Sequence, residues 1–119
     1  MAETVDIYPT LAELAGLPAP AGSQPMDGVS LVPVLRDPAQ TVRNHAYHCF
    51  PCGERMGRAI RPERHRLAEW KRRGAPPETA DLELYDYASD PPETRNVAAE
   101  QPEIVARLRM ILARHPEAK

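Results

Sequence analysis

The sequence is short of the residues that build a large core or a disulfide scaffold. Its 119 residues include one Trp, one Phe and four Tyr, so we expect a thin core in a chain of one-domain size. The two cysteines are too few for a secreted disulfide framework and are compatible with a reducing compartment. Fourteen prolines, against an average usage of about 5% of residues, predict many turns and extended connections.

A long apolar run and a large net charge are also missing. No stretch of about 18 apolar residues occurs, so the sequence predicts no membrane-spanning helix. The first residues lack the basic and apolar segments of a signal peptide. We therefore expect a soluble chain without its own export signal, cytoplasmic as it stands, with no membrane partner. The formal net charge of −2 says little about other partners.

The first third of the sequence predicts two short helical segments. Apolar residues at helical spacing follow Thr4, a candidate N-cap, and the pattern stops at Gly16. Pro9 lies inside this pattern, which leaves the start of the helix open between Val5 and Pro9. Residues 17–26 read as an irregular Pro-rich linker, and residues 30–36 predict a second short helical turn.

The rest of the sequence predicts a small sheet and a C-terminal helix. Strands are predicted at residues 44–50, 56–61, 64–71 and 82–87, and Pro62-Glu63 is predicted to form the tight turn of a hairpin. A helix beginning near Pro102 is indicated by one apolar stripe, which consists of Ile104, Val105, Leu108, Ile111 and Leu112. We predict an α+β fold, with a four-stranded antiparallel sheet packed against this helix and preceded by the N-terminal helix and linker.

Two histidines and two cysteines lie close together in the sequence. Thiolates and imidazoles at this density can hold zinc, and the candidate ligands are His45, His48, Cys49 and Cys52. If residues 44–50 form a strand, His48 and Cys49 point to opposite faces, which opposes a shared site. We therefore predict no metal site and keep this set as the alternative.

The only strongly basic stretch is residues 55–73, where eight Lys or Arg accompany two Glu. Such a hairpin can bind an anion, for example a sulfated sugar, and the candidate anion-binding residues are Arg58, Arg61, Arg64 and Arg66. Aromatic residues suited to base stacking are limited to Trp70, so nucleic acid is not expected. A solvated sheet face is the favoured reading of this stretch.

Four blocks of this sequence, in order, resemble the C-terminal portion of the sulfatases, members of the alkaline phosphatase superfamily. They are VDIYPTL with LAGLP at residues 5–18; MDGVSL with Val34-Leu35; MGRAIR at residues 56–61 with Arg64 and Trp70; and ELYDY at residues 83–87 with Asp90-Pro91, Glu93-Thr94 and Asn96. The third block is most similar to the branch that includes iduronate sulfatase. Pro62 and His65 depart from it, standing where threonine and tyrosine are more usual.

The resemblance implies which parts of a sulfatase this sequence carries. It implies that residues 1–40 end the catalytic domain and that residues 41–119 form the C-terminal subdomain. It also implies that the formylglycine motif Cys-x-Pro-x-Arg and a calcium-like divalent cation belong to a segment upstream of Val5. The string from Cys49 to Gly53 copies three positions of that motif but has Gly53 in place of arginine, so no catalytic residue is carried over.

The leading hypothesis is a C-terminal fragment of a sulfatase that is not catalytic by itself. Its expected partner is the missing N-terminal catalytic domain, or another copy of the chain in a homo-oligomer, because the apolar face of the first helix needs a cover. Two alternatives stay open: a stand-alone anion-binding module that uses residues 55–73, and a small metal-binding protein.

Overall fold

The computed structural model describes residues 1–18 and 25–116. They form two compact units, Met1–Ala46 and Tyr47–Lys119. The boundary expected from the sequence lay between residues 40 and 41, and the assignment of the first segment to a catalytic domain stays a prediction. The predicted linker at residues 17–26 lies partly outside the described residues.

The first unit begins with a 3-10 turn, Thr4–Asp6, that continues directly into α1, Ile7–Leu14. The expected N-cap, Thr4, is wrong: Glu3 caps the turn, and its backbone N–H donates to the Asp6 carboxylate over 2.8 Å. Pro9 lies in the first turn of α1, where a missing N–H costs no helical hydrogen bond. A second short helix, α2, spans Val32–Arg36, inside the predicted helical turn.

A buried carboxylate organises this unit. Asp6 is fully buried, and besides Glu3 it accepts hydrogen bonds from the Val29 N–H, at 2.9 Å, and from Arg43 Nη2, at 2.5 Å. Burial alone would raise the pKa of Asp6, but the hydrogen bonds from Arg43, Val29 and Glu3 outweigh it and hold the pKa below its ordinary value. Asp6 is therefore an anion that fixes three separate segments of the chain.

Thr10 and Gly28 complete the attachment of the connector, residues 25–31, to the first helix. Thr10 Oγ1 donates to the Asp6 carbonyl over 2.6 Å and accepts from the Leu31 N–H over 2.9 Å. A Cβ on Gly28 would lie only 2.0 Å from the Val5 carbonyl oxygen, so the two backbones approach too closely for any other residue. The connector is thus clamped by Asp6, Thr10 and a required glycine.

The second unit is a four-stranded antiparallel sheet with one long helix, which confirms the predicted α+β fold. The strands lie in chain order: β1, Ala46–Cys52; β2, Arg55–Arg61; β3, His65–Arg72; and β4, Asp81–Asp86. The C-terminal helix, α3, spans Pro102–Leu112 and packs on β2 and β3. β1 lies two residues further along the chain than predicted.

One face of the sheet carries the core. Ile60 pairs with Leu67 and Leu67 with Leu84, so three buried side chains line up across adjacent strands. α3 covers them with its predicted apolar stripe, and the buried core cluster consists of Ile60, Leu67, Leu84, Val97, Val105, Leu108 and Leu112. Tyr85 and Tyr87 occupy the opposite face, as the alternation in the sequence predicted.

The outer edge of β4 is covered by the segment that follows it. The Asn96 side chain accepts from the Leu84 N–H over 2.9 Å and donates to the Leu82 carbonyl over 3.0 Å, and the Val97 N–H donates to the Leu84 carbonyl over 2.8 Å. These contacts satisfy backbone hydrogen-bonding groups at the outer edge of β4, and they explain why an asparagine stands at residue 96 in the fourth resemblance block.

An ion pair joins the β2–β3 connection to the end of β4. The Asp86 carboxylate accepts Arg64 Nε and Nη2, both over 2.8 Å, in a bidentate arrangement. The Arg64 guanidinium holds the pKa of Asp86 well below its usual range. Opposite Asp86 in the sheet lies buried His65; burial lowers its pKa and the charges of Arg64 and Arg107 act in the same direction, against the attraction of Asp86.

Within residues 1–18 and 25–116, no helix is long and apolar enough to cross a membrane.

Gly28→Ala should loosen the connector. The added methyl group clashes with the Val5 carbonyl, so we expect a loss of about 1–3 kcal/mol in the stability of the first unit. Amide hydrogen exchange at Val29 and Leu31 measures it, and both amides should exchange faster. Gly53→Ala is the control, since a Cβ there has no atom within 4 Å and the strain from its positive φ, 59°, is confined to the second unit. Unchanged protection in Gly28→Ala would contradict the clamp.

The second unit should lose stability in acid. His65 has a lowered pKa in the folded chain, so its neutral form stabilises the fold and this contribution falls as the pH drops below about 6.5. Asp86 also has a lowered pKa, so the contribution of its ionised form is complete above its ordinary value of 3.8 and declines as the pH drops below it.

Urea unfolding of Asp86→Asn across pH isolates the second contribution. We expect this variant to be less stable than the unsubstituted chain at pH 7, and the difference should narrow from about pH 4 downward. Arg64→Gln should behave in the same way because it removes the partner. A difference of the same size at pH 7 and pH 3 would contradict the role assigned to the pair.

Candidate functional site

The four arginines predicted to bind an anion are separated by the sheet. Arg58 lies on the α3 side, where it is buried and its Nη2 donates to Glu69 over 2.6 Å. Arg64 is held by Asp86 in the β2–β3 connection. Arg61 and Arg66 lie on the opposite, open face of the sheet. The structure thus brings together only two of the four, and anion binding by this set stays a prediction.

On the open face, Arg66 takes part in a charge network with Glu93. Arg66 Nε donates to Glu93 over 2.8 Å, a second bond from Nη2 makes the pair bidentate, and the Tyr87 hydroxyl donates to the same carboxylate. Burial would raise the pKa of Glu93, but the bonds from Arg66 and Tyr87 outweigh it and lower the pKa. To reach this position, the backbone of Glu93 adopts a positive φ of 56°, which is unfavourable for a residue other than glycine.

Two aromatic rings complete this network. The Arg61 guanidinium lies 4.4 Å from the centre of the Tyr87 ring, and that of Arg66 lies 5.1 Å from the centre of Tyr85. Burial and the nearby carboxylate raise the pKa of Tyr87, so it remains a hydrogen-bond donor at neutral pH. This arrangement orders the segment after β4; it places no nucleophile beside a base.

The candidate zinc ligands do not converge. His48 lies on the same side of β1 as Phe50, with 6.4 Å between the ring centres, whereas the Cys49 thiol donates to the Met56 sulfur over 3.2 Å. Cys52 is exposed at the end of β1, and His45 Nδ1 lies 2.6 Å from the Asn44 amide oxygen. In the described part of the chain, no three His, Cys, Asp or Glu side chains are grouped to hold a metal ion. The described residues therefore offer no ligand set for the divalent cation that the resemblance implies.

The α1 face, defined as Ile7, Tyr8, Leu11 and Leu14, is an exposed apolar surface. The four side chains follow helical spacing and are 53%, 61%, 58% and 60% exposed. Asp6 and Thr10, which are polar, are buried instead. The inward side of α1 holds only Thr10 and the small apolar residues Pro9 and Ala12, while its large apolar side chains are exposed, which indicates a binding surface.

A basic pocket of about 490 Å³ lies at the end of the sheet away from the β2–β3 connection. Its lining residues are Arg55, Lys71, Arg72, Ala75, Thr79 and Asp81. The sequence identified the basic stretch but selected arginines nearer the connection. The signal that could have found the pocket is the strand register, since Arg55 pairs with Arg72.

Comparison with known proteins supports the resemblance seen in the sequence. Residues 1–117 match the family described as N-sulphoglucosamine sulphohydrolase, C-terminal. The chain is 35% identical over 105 residues to a sulfatase of Formosa agariphila, a match that covers 83% of this chain and 19% of that protein. It is 34% identical over 101 residues to a Δ4,5-hexuronate-2-O-sulfatase of Bacteroides thetaiotaomicron, which covers 80% of this chain and 19% of that protein.

A solved structure shows the same fold. BT4656, solved in complex with its substrate D-glucosamine-2-N,6-O-disulfate, matches with a TM-score of 0.73 and 25% identity over 92% of this chain and 22% of its own. The chain thus spans about a fifth of the length of the proteins it matches. It belongs to the N-sulphoglucosamine sulphohydrolase C-terminal family and corresponds to the C-terminal portion of a sulfatase.

Proposed function

We propose that this chain completes the fold of a sulfatase by packing its α1 face on the part of the enzyme that carries the catalytic site. The observation that carries the proposal is the exposure of the large apolar side chains of α1, such as Leu11, next to a buried Asp6 that fixes the orientation of the helix. The chain spans about a fifth of the length of its relatives, so the rest of such an enzyme can supply the surface that covers the α1 face.

The energetics favour a protein partner for the α1 face. Full burial of an Ile, Leu or Tyr side chain stabilises a protein by about 1.5–3 kcal/mol, and each of these residues has more than half of its surface still exposed. Covering four of them supplies on the order of 1 kcal/mol each. The buried Asp6 and Thr10 prevent α1 from rotating to bury this face within its own unit.

We assign the chemistry of the enzyme to the other part. The proposed reaction is hydrolysis of a sulfate ester on a sugar, in keeping with the names of the relatives from B. thetaiotaomicron and of BT4656. The formylglycine and a calcium-like divalent cation belong to that part. MGRAIR with Arg64 and Trp70 supports a placement in the iduronate-sulfatase-like branch.

We propose further that the isolated chain self-associates through the same face. Two copies of α1 can cover each other's apolar side chains, and such an isologous contact closes as a dimer. In the complete sulfatase this contact is replaced by the catalytic part.

Leu11→Lys should make the isolated chain monomeric. A charge in the centre of the α1 face opposes burial without disturbing the buried side of the helix. Light scattering and sedimentation velocity measure the mass, and the unsubstituted chain should be larger than a monomer. Met110→Lys, an equally exposed apolar residue on α3 at 64%, is the control and should not change the mass. A strictly monomeric unsubstituted chain would refute self-association.

Reconstitution tests the sulfatase proposal directly. The Formosa agariphila sulfatase, shortened to end before the segment that this chain matches, should gain activity toward a sulfated sugar when the chain is co-expressed. Leu11→Lys should weaken the complex about tenfold or more, since loss of one central apolar contact costs at least about 1.4 kcal/mol. Met110→Lys should leave the gain unchanged. Equal activity with and without the chain, or an unimpaired Leu11→Lys complex, would contradict the proposal.

A further inference from the structure

We infer that the basic pocket, lined by Arg55, Lys71, Arg72, Ala75, Thr79 and Asp81, binds a sulfated oligosaccharide through its sulfate groups. The choice of a sulfated sugar as the source of the anion rests on the proposed function. The anion site itself rests on the geometry of the second unit, so it can be tested on the chain without its partner.

The strand register brings two of the three cations, Arg55 and Arg72, onto the same open face, whereas Lys71 points to the α3 side and reaches the pocket at the end of β3. Arg55 pairs with Arg72 and Met56 with Lys71, at the end of the hairpin where β1 enters and β3 leaves. The turn after β3 continues the wall of the pocket: Gly74 has a φ of 71°, and the Ala75 N–H donates to the Arg72 carbonyl over 3.1 Å. Residues 77–81 then return to the sheet as a short 3-10 turn and the start of β4.

Arg55 is held in position while keeping donors for a ligand. Its Nη2 donates to the Trp70 carbonyl over 2.8 Å and to the Asp81 carboxylate over 2.5 Å. Both hydrogen bonds to described residues use this one nitrogen, so Nε and Nη1 can donate to an oxyanion. Asp81 is 75% exposed, and an ion pair with so exposed a carboxylate is weak enough to yield to a ligand.

The other two cations differ in burial. Lys71 is buried at the wall of the pocket, where its ammonium donates to the Ala75 carbonyl over 2.9 Å. Arg72 pairs with Glu54 over 3.3 Å, and both side chains are more than three-quarters exposed, so this guanidinium can reorient toward the pocket.

The size and lining of the pocket select the class of ligand. A volume of about 490 Å³ falls in the range of small-molecule sites and is large for a single inorganic sulfate. The described lining residues include no aromatic ring on which a nucleic-acid base could stack. Thr79 donates its hydroxyl proton to the Pro76 carbonyl over 2.7 Å, so its oxygen can accept from a sugar hydroxyl, as can Asp81.

Titration of the full chain with a heparin-derived tetrasaccharide, followed by calorimetry, tests the inference. We expect saturable binding that weakens as salt is raised and is lost for the desulfated tetrasaccharide. Arg72→Gln and Arg55→Gln should each weaken binding about tenfold, because each removes a charged hydrogen-bond donor. Arg72 is exposed, so its variant should keep the fold even if Arg55→Gln does not, and urea unfolding checks both.

Arg95→Gln is the matched control, since it removes the same charge from an exposed pair with Glu100 outside the pocket. It should change the affinity less than twofold. An equal loss in Arg95→Gln and Arg72→Gln would overturn the site in favour of general charge attraction. If inorganic sulfate displaced the tetrasaccharide at an equal molar concentration, the sulfated-oligosaccharide assignment would be overturned. Single-stranded DNA that bound as tightly as the tetrasaccharide would overturn it as well. Absence of tetrasaccharide binding would also overturn it, whatever the reconstitution shows.

Discussion

The first unit depends on the burial of one carboxylate. An ionised Asp6 without partners would cost several kcal/mol, so the chain has to bring donors to it. It does so from three segments: the N–H of Glu3, the N–H of Val29 and the guanidinium of Arg43. This requirement sets the path of the connector and makes Gly28 necessary where two backbones meet. The order of α1 and the connector therefore follows from satisfying a charge rather than from building a core.

This constraint also explains why α1 exposes its large apolar side chains. The residues that satisfy the connector, Asp6 and Thr10, face inward, and helical geometry then directs Tyr8 and Leu11 outward. A helix fixed by polar contacts on one side can present an apolar surface without collapsing onto it. For the docking proposed above, this gives a preformed face with little to reorganise on binding.

The sequence predicted the elements that have strong local signals. The apolar stripe from Ile104 to Leu112 and the alternation around Leu84 were sufficient to predict the helix, the last strand and their packing. The turn between β2 and β3 was harder. A turn at Pro62-Glu63 would place Arg55 opposite Trp70, whereas the observed register centres the turn one residue further along, on Glu63-Arg64, and pairs Arg55 with Arg72. The basic pocket follows from that register, and no pattern within a single strand reveals it.

The distribution of charge in the second unit determines which cations remain for a ligand. Most of the arginines selected from the sequence are used within the fold: Arg58 neutralises Glu69, Arg64 neutralises Asp86, and Arg66 neutralises Glu93. Each of these pairs ties a strand to another element, so a ligand could displace it only by weakening the structure. At the other end of the hairpin, the carboxylates that face Arg55 and Arg72 are exposed side chains at a strand end and in a turn. Those pairs can open at little cost to the fold, and a ligand is therefore expected to find its cations there.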